Sequence, residues 1–266
     1  MEIKKMTVTE IQNLLKQSGW RLSDEDLNEL REDNRSGVHK LYQQLCRQRA
    51  LDEKEHRRLE EMLLYEKDAR AKGFSLIAGV DEAGRGPLAG PVVAAAVILP
   101  EHTDIYGVDD SKKLSPLKRE ELFHQIKKVA LFWSVGMASV EEIDSLNILR
   151  ASLMAMQRAV ISLDTQPEYV LVDAVRIPGI LIPQLPIIKG DGKSQSIAAA
   201  SIIAKVTRDK LMDDYDRRFP DYGFTRHKGY GTADHMEAIK RYGQCPLHRK
   251  TFTKNIETVA KTASLW

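Results

Sequence analysis

Two hydrophobic runs separated by a short turn-forming segment make the strongest pattern along the chain. The first run begins at residue 75 and leads into the adjacent acids Asp81 and Glu82, Gly- and Pro-rich residues follow, and the second run ends at Leu99. Such a pattern predicts a strand, a tight connection and a neighbouring strand. Because successive side chains of a strand point to opposite faces, one acid should face the interior, where an unpaired charge is costly. We therefore expect a cation beside the pair, the alternative being a solvated pair at a loop entrance.

Strand-like runs alternate with helical segments in the rest of the chain. Strands are predicted at residues 131–138, 168–173 and 185–191, and helices from Ser115, from Ser139 to Ser162, from Gln195 to Phe219, from Thr232 to Tyr242 and from Thr251. Two of these strands finish in an acid, at Asp173 and at Asp191. We interpret the chain as an α/β protein in which a mixed sheet flanked by helices presents its acids along one edge, where α/β folds place their sites.

Residues 1–71 differ from the rest because they are dense in charge and contain no strand-like run. Capping signals at Thr7 and Ser23 predict two helix starts, and the apolar positions of residues 38–70 predict one long or broken amphipathic helix. We predict a helical N-terminal extension, residues 1–71, followed by a second domain, residues 72–266. Acids interleaved with the basic residues of the extension favour a solvated helix face over a phosphate-binding one.

Composition bears on the cellular setting more than on the function. The 266 residues carry a net charge of +2, which is too small to indicate an acidic partner. No stretch approaches the apolar length of a membrane helix, and the N-terminus lacks the apolar region of a signal peptide. Cys46 and Cys245 are far apart in the sequence, so neither a disulfide framework nor a zinc-binding spacing is indicated. We expect a cytoplasmic monomer with no membrane partner.

Four acids carry the candidate chemistry, namely Asp81, Glu82, Asp173 and Asp191. Carboxylate oxygens are hard ligands and no His or Cys set competes with them, which favours Mg²⁺ or Mn²⁺. Two such ions about 3.5–4 Å apart can activate a water and stabilise the leaving oxygen of an in-line displacement at phosphorus. Hydrolysis of a phosphodiester is therefore the leading hypothesis.

Several long motifs follow one another between about residues 73 and 250: Gly79–Gly86, Asp110–Leu114, Val172–Asp173, Lys189–Lys205 and Gly229–Thr232. In sequence and in order they closely resemble bacterial ribonuclease HII, the type 2 ribonuclease H. The resemblance implies an RNase H-like fold and endonucleolytic cleavage of the RNA in an RNA/DNA hybrid. It also implies nicking at a single ribonucleotide embedded in duplex DNA, with 3′-hydroxyl and 5′-phosphate ends.

The resemblance assigns roles to individual residues. The four acids would be the metal-binding catalytic residues. Gly84, Arg85 and Gly86 would read the ribose 2′-hydroxyl mainly through backbone groups, with Tyr230 assisting. Glycines allow such a close approach, and the 2′-hydroxyl is what distinguishes RNA from DNA. Arg85 favours the type 2 enzyme, since the type 3 enzyme has a different residue there.

Charged residues close to the motifs are weaker candidates. Lys112, Lys113 and Lys193 would contact phosphates, with solvated lysine as the alternative. For the three histidines near the C-terminus, a surface position is expected rather than contact with nucleic acid: His227, His235 and His248. Residues 1–71 lie outside the resemblance, and extra substrate binding is weighed against a stabilising or interaction role.

Two functions of other classes remain open at this point. Gly190–Ser194 ends like the phosphate-binding loop of a nucleotide triphosphatase, but that motif needs a glycine where this chain has Ile187. A non-enzymatic hybrid-binding protein would bind after metal removal and leave its ligand uncut. Nucleotide-stimulated turnover would favour the first alternative, whereas chelator-sensitive nicking would favour the nuclease.

Overall fold

A computed structural model describes residues 3–17 and 22–256, and the chain divides into two compact units, Met1–Glu60 and Glu61–Trp266. Each unit has its own hydrophobic core. None of the helices in the described ranges is long and apolar enough to cross a membrane.

The N-terminal unit is built from helices that begin with a short 3₁₀ turn, Ile3–Lys5. The helices are α1 (Val8–Gln17), α2 (Asp24–Arg31) and α3 (Ser36–Glu61). Both predicted starts are confirmed, because Thr7 Oγ1 accepts from the Glu10 N–H at 3.3 Å and Ser23 Oγ accepts from the Asp26 N–H at 3.1 Å. Apolar side chains from all three helices and the 3₁₀ turn form the core: Ile3, Ile11, Leu15, Leu30, Val38, Leu41 and Leu45.

A five-stranded mixed sheet forms the centre of the C-terminal unit, with strand order β3-β2-β1-β4-β5. The strands are β1 (Ile77–Ala83), β2 (Val92–Ile98), β3 (Phe132–Ala138), β4 (Tyr169–Asp173) and β5 (Gln184–Ile187). β2 is antiparallel to β1 and β3, whereas β4 is parallel to β1 and β5. The predicted α/β class with a mixed sheet is confirmed.

Helices cover the sheet on both faces. The helices of this unit are α4 (Leu64–Ala71), α5 (Pro116–Val129), α6 (Val140–Leu146), α7 (Ile148–Ile161), α8 (Gln195–Arg218), α9 (Phe224–His227), α10 (Ala233–Tyr242) and α11 (Lys250–Thr253), of which α7 and α8 pack most closely on the strands. Ala78 and Val80 of β1 pack in the same cluster as the buried residues of α7. Gly79 faces α8, so closely that a Cβ would lie 2.0 Å from the Ser196 carbonyl carbon. Because side chains alternate along a strand, Asp81 lies on the α8 face as well.

The helix predicted from Ser139 to Ser162 is wrong in one respect, because it is two helices. Ser139 forms the predicted capping box with Glu142 and starts α6. Asn147 then has φ +74°, which interrupts the helix, and its side chain accepts from the Arg150 N–H to start α7. Asparagine tolerates the left-handed region and caps helices well, so one residue ends α6 and begins α7.

The bounds of the remaining predicted elements differ little from the observed ones. The amphipathic segment of residues 38–70 is broken into α3 and α4, one of the two forms expected. Ala69 of α4 packs against Ile77, so α4 contributes to the core of the C-terminal unit. The domain limits 1–71 and 72–266 stay a prediction. The closing helix is the short α11, and the rest of that predicted segment, beyond residue 256, lies outside the described residues.

Candidate active site

Acids from separate strands meet at one edge of the sheet. β1 and β4 are parallel, and Val80 is paired with Val172, so Asp81 and Asp173 follow side by side. Asp191 lies in a 3₁₀ turn, Gly190–Gly192, which follows β5. The Gly190 N–H donates to Asp173 Oδ1 at 2.7 Å and ties this turn to the end of β4.

Asp81 is the most deeply buried of the predicted acids, with only 4% of its surface exposed. Its Oδ1 accepts from the Glu82 N–H at 2.7 Å, and Ser201 of α8 also hydrogen-bonds its carboxylate. Burial, followed by the charges of Glu82 and Asp173, raises the pKa of Asp81 well above its usual value. Burial also raises the pKa of Glu82, although Arg85 Nη1 lies 3.3 Å from Glu82 Oε1.

Asp191 has an acidic neighbour that was not among the predicted site residues. Burial, together with the charges of Asp110 and Asp173, raises the pKa of Asp191 to about 6. Lys112 Nζ lies 3.8 Å from Asp191 Oδ2 and 3.9 Å from Asp110 Oδ1. Although burial works against its charge, nearby carboxylates, including that of Asp81, raise the pKa of Lys112. One lysine thus faces several acids.

The donor set fits a hard divalent cation. Carboxylate oxygens prefer such ions, and the mutual repulsion of these acids is what a cation would relieve. In the part of the chain that the structure describes, however, no three acidic, His or Cys side chains form a ready-made metal site. The carboxylates are brought within electrostatic reach of one another, and their use as shared ligands stays a prediction.

The residues predicted to read the ribose lie directly after Glu82. Gly84 has φ +98°, and a Cβ there would lie 2.1 Å from Arg208 Nε. A Cβ on Gly86 would lie 3.7 Å from Tyr230 Cε1, and Tyr230 is 44% exposed. Arg85 is also exposed. The structure therefore brings Tyr230 beside the Gly84–Gly86 loop, although the two are far apart in the sequence.

The three predicted lysines are not equivalent. Lys112 lies at the acids, as described above. Lys113 Nζ donates to Asp109 Oδ1 at 2.9 Å, and a Cβ on Gly192 would lie 3.8 Å from that same nitrogen. Lys193 is exposed. Lys112 is thus the one with a close contact to a predicted catalytic acid.

The surface position expected for three histidines is wrong, because all three are buried. His235 Nε2 lies 3.1 Å from His248 Nε2, and the rings of His227 and His235 are stacked with centroids 4.3 Å apart. Burial lowers the pKa of His235 and of His248 to about 4. Phe224 packs against all three rings. The three histidines belong to neighbouring but separate segments, with His227 in α9, His235 in α10 and His248 after α10, so the packing of these segments creates the cluster.

Sequence reasoning missed Asp110 and two buried arginines, Arg208 and Arg249. Asp110 carried a usable signal, since it opens a polar motif that was recognised. The arginines carried none, because an arginine on a helix or in a loop is usually exposed.

Two protein-family models match this chain. The model described as Ribonuclease HII matches residues 78–255, and the model described as Ribonuclease HII N-terminal domain matches residues 7–70. Together they account for both units of the structure.

Curated relatives cover nearly the whole chain. The Ribonuclease HII of Clostridioides difficile (strain 630) is 55% identical over 85% of this chain and 89% of its own length. That of Geobacillus kaustophilus (strain HTA426) is 49% identical over 99% of this chain and 100% of its own. The crystal structure of the ribonuclease H2 from Pyrococcus horikoshii OT3 has a TM-score of 0.57 at 31% identity, covering 68% of this chain and 96% of that one.

Proposed function

This chain belongs to the ribonuclease HII family, and from that membership we propose that it nicks duplex DNA at single embedded ribonucleotides. It is a ribonuclease H, a hydrolase that acts on the RNA of RNA/DNA hybrids. Enzymes of this kind depend on a divalent metal ion. The proposal adds the finer substrate and the residues that select it.

We propose that Asp81, Glu82, Asp173 and Asp191 hold two divalent ions, Mg²⁺ or Mn²⁺. The observation that carries this is the convergence of the acids at one sheet edge, where parallel β1 and β4 end side by side and the Gly190 N–H ties the turn of Asp191 to Asp173. Burial, and then the charges of neighbouring acids including Asp173, raise the pKa of Asp81 and of Asp191. Groups that repel one another at one sheet edge gain most from a bound cation. Bound there, the ions would supply the charge that activates a water and stabilises the leaving oxygen.

The proposed reaction is the hydrolysis of one phosphodiester bond. A water oxygen forms a bond to phosphorus as the water gives up a proton, the bond from phosphorus to the ribose O3′ breaks, and O3′ takes up a proton, which leaves 3′-hydroxyl and 5′-phosphate ends. The Lys112 ammonium, 3.8 Å from Asp191, is placed to hold a phosphate oxygen beside the acids. Lys113 and Lys193 are proposed to contact flanking phosphates.

The Gly84–Gly86 loop and Tyr230 are proposed to select the ribonucleotide. Gly84 and Gly86 have no side chain that would keep a sugar away from the backbone. Tyr230 lies against Gly86 and exposes 44% of its surface, so its ring is available to a nucleotide. Selection would act on the 2′-hydroxyl, the group that separates RNA from DNA. We also propose the domain division 1–71 and 72–266, which the limits of the two family matches support.

Three duplexes test the proposal: one with a single ribonucleotide in DNA, one RNA/DNA hybrid and one all-DNA control. With Mg²⁺ or Mn²⁺ we expect cleavage of the first two and none of the third, and with a chelator no cleavage at all. Ligation and phosphatase treatment of the products identify the ends. Equal cutting of the first and third duplexes would contradict ribose selection, and cleavage in chelator would contradict the metal-dependent mechanism.

A further inference from the structure

Two arginines lie buried beneath the ribose-reading loop and its continuation to Pro91. Arg208, on α8, is 1% exposed and Arg249 is fully buried. In the described ranges no carboxylate lies within 4.0 Å of either guanidinium, although buried charges are normally paired. Two buried guanidinium groups cost free energy, and both are hydrogen-bonded to backbone carbonyls of this loop region.

Arg249 binds carbonyls of the Gly84–Gly86 loop and of its continuation to Pro91. Its Nη2 donates to Gly84 O at 2.5 Å and to Gly90 O at 2.8 Å. Its Nη1 donates to Arg85 O at 2.8 Å, and its Nε to Gly90 O at 3.0 Å. One rigid guanidinium therefore fixes the carbonyls of residues 84, 85 and 90 relative to one another.

Arg208 binds the neighbouring part of the chain in the same way. Its Nε donates to Pro91 O, its Nη2 to Ala89 O and its Nη1 to Lys228 O, each at 3.0 Å. Lys228 comes two residues before Tyr230. Arg208 therefore ties the segment that carries Tyr230 to Ala89 and Pro91, which follow the Gly84–Gly86 loop. Hydrogen bonds that involve a charged group are shorter and stronger than neutral ones.

Arg249 keeps its charge in this position. Burial, and then the charge of Arg208, lowers the pKa of Arg249 to about 9, still above neutrality. Burial also lowers the pKa of Arg208. Positive charge beneath the loop polarises the bound carbonyls, which makes the N–H groups of the same peptides better donors.

The direction of the carbonyls determines where the loop's N–H groups point. A trans peptide is planar, with its C=O and N–H on opposite sides. Because Gly84 O and Arg85 O point inward to Arg249, the N–H groups of Arg85 and Gly86 point away from it. Neither of these N–H groups has an acceptor in the described chain, whereas the Leu88 N–H donates to Gly229 O and the Gly90 N–H to Leu247 O, both at 2.8 Å.

We propose that Arg249 and Arg208 are positioning residues for ribonucleotide recognition: they hold the Gly84–Gly86 loop so that the N–H groups of Arg85 and Gly86 face the ribose 2′-oxygen. The inference rests on the proposed function, since it names how the loop that reads the sugar is held in place. It requires the forked geometry of arginine, because a lysine ammonium cannot span three separate carbonyls.

Arg249→Lys and Arg208→Lys test the fork while keeping the charge. The measurement is the affinity of each protein for the single-ribonucleotide duplex and for the all-DNA duplex, with Ca²⁺ in place of the active metal. We expect the ratio of the two affinities to fall by about tenfold or more in either variant. A lysine cannot make all the hydrogen bonds of the arginine, so the loop would no longer be held in one conformation. Affinity for the all-DNA duplex should stay unchanged, which a general loss of structure would not allow.

Arg158→Lys is the matched control. Arg158 also binds a backbone carbonyl, Met137 O at 2.7 Å, but it is paired with Glu142, and that carbonyl belongs to β3 and not to the Gly84–Gly86 loop. Its lysine variant should keep the wild-type ratio. If the wild-type enzyme prefers the single-ribonucleotide duplex and the Arg249 and Arg208 variants keep the same preference, this inference is overturned and the proposed function is not. A wild-type ratio of one contradicts ribose recognition itself, and the inference falls with it.

Amide hydrogen exchange keeps the inference testable even if both variants fail to fold. In the wild-type enzyme without nucleic acid, the Arg85 and Gly86 amides should exchange fast, while the Leu88 and Gly90 amides, which are hydrogen-bonded, should exchange slowly. Binding of the single-ribonucleotide duplex, but not of the all-DNA duplex, should slow Arg85 and Gly86. Slow exchange at these two amides before binding would overturn the proposed orientation.

Discussion

Two neighbouring regions of the C-terminal unit each bury several charged groups of the same sign. They differ in what offsets the unfavourable free energy of burying those charges. In the acidic edge, formed by Asp81, Glu82, Asp173 and Asp191, burial and then neighbouring carboxylates raise the pKa of Asp81 and of Asp191, while Lys112 and Arg85 are the nearby cations. In the loop floor, formed by Arg208 and Arg249, every guanidinium is hydrogen-bonded to backbone carbonyls. The acidic edge thus stands to gain from an added cation, whereas the loop floor has its hydrogen-bond partners within the chain.

The difference suggests a division of labour. A region that is electrostatically satisfied can keep a fixed shape, which suits the recognition of a sugar. A region of crowded acids stores repulsion that a bound cation relieves, which suits chemistry dependent on that cation. Each prediction below removes or weakens one side of this contrast.

Asp81→Asn should have the largest effect. Removing the most buried carboxylate of the acidic edge should lower the cleavage rate by about 10³-fold or more, since electrostatic groups at the reacting centre contribute on this scale. The melting temperature of the metal-free protein should not fall, because the substitution removes a repulsive charge while the amide oxygen can still accept from the Glu82 N–H. Rates on the single-ribonucleotide duplex and thermal melts measure the two effects.

Asp214→Asn is the matched control for that substitution. Asp214 is exposed and paired with Arg217 on the outer part of α8, so its loss should leave both the rate and the melting temperature nearly unchanged. Full activity in the Asp81→Asn variant would contradict the catalytic role proposed for Asp81.

Gly84→Ala should damage the loop floor, and Gly73→Ala provides a closely matched control. Both glycines have positive φ, +98° and +95°, but a Cβ on Gly84 would lie 2.1 Å from Arg208 Nε, whereas a Cβ on Gly73 meets nothing within 4 Å. The control should cost only the backbone strain, about 1–2 kcal/mol. The Gly84 variant should cost roughly 2 kcal/mol more, because the buried arginine has to move.

Chemical denaturation measures both free energies of unfolding. Ribonucleotide cleavage should fall at least roughly tenfold in the Gly84 variant and stay near wild type in the Gly73 variant. Equal destabilisation of the two variants would show that Arg208 adapts freely and would weaken the contrast between the two regions.

Acid should destabilise the histidine cluster next to the loop floor. His248 pairs with Ala89 through a bridge between their backbones, and its pKa is lowered to about 4 by burial, with the charge of His235 as the next cause. A lowered histidine pKa means that the unfolded chain binds more protons, so this contribution to stability is present above about pH 6.5 and is lost as pH falls towards 4.

His248→Gln measures that contribution. Between pH 6.5 and 4.5 the wild-type melting temperature should fall more steeply than that of the variant, by an amount equivalent to about 2 kcal/mol, the size that a histidine pKa lowered to about 4 gives over this range. Parallel curves would show that the histidine is not held neutral by its surroundings.

The acidic edge should respond to pH with the opposite sign and a smaller size. Burial and the charge of Asp110 raise the pKa of Asp191 to about 6. A raised carboxyl pKa means that the folded chain binds more protons, so stability from this group is greatest below about pH 4 and is lost as pH rises through 6. In chelator, Asp191→Asn should therefore gain on the wild type as pH rises, on the order of 1 kcal/mol, read from paired thermal melts. Saturating Mn²⁺ should reverse the difference, and a gain that persists in Mn²⁺ would argue against Asp191 as a ligand.

Local patterns predicted most of the elements because each carries its own signal. The run ending in Asp81 and Glu82 is strand β1, and the capping box at Ser139 starts a helix. The interruption at Asn147 was not predicted, because apolar spacing continues through it and a single left-handed residue leaves that spacing almost intact. The burial of His235 and His248 was also missed, since each has both apolar and charged neighbours in the sequence and no local periodicity marks it as buried.

The sequence by itself determined the α/β class, the placement of acids at the ends of strands and, through its motifs, the family. Only the tertiary structure decided that Asp110 joins Asp191, that the histidines form one cluster and that Arg208 and Arg249 lie beneath the loop that begins at Gly84. The reason is the range of the interactions. Strands and caps arise from contacts between residues close in sequence, whereas the cost of burying a charge depends on partners that come together only when distant segments pack.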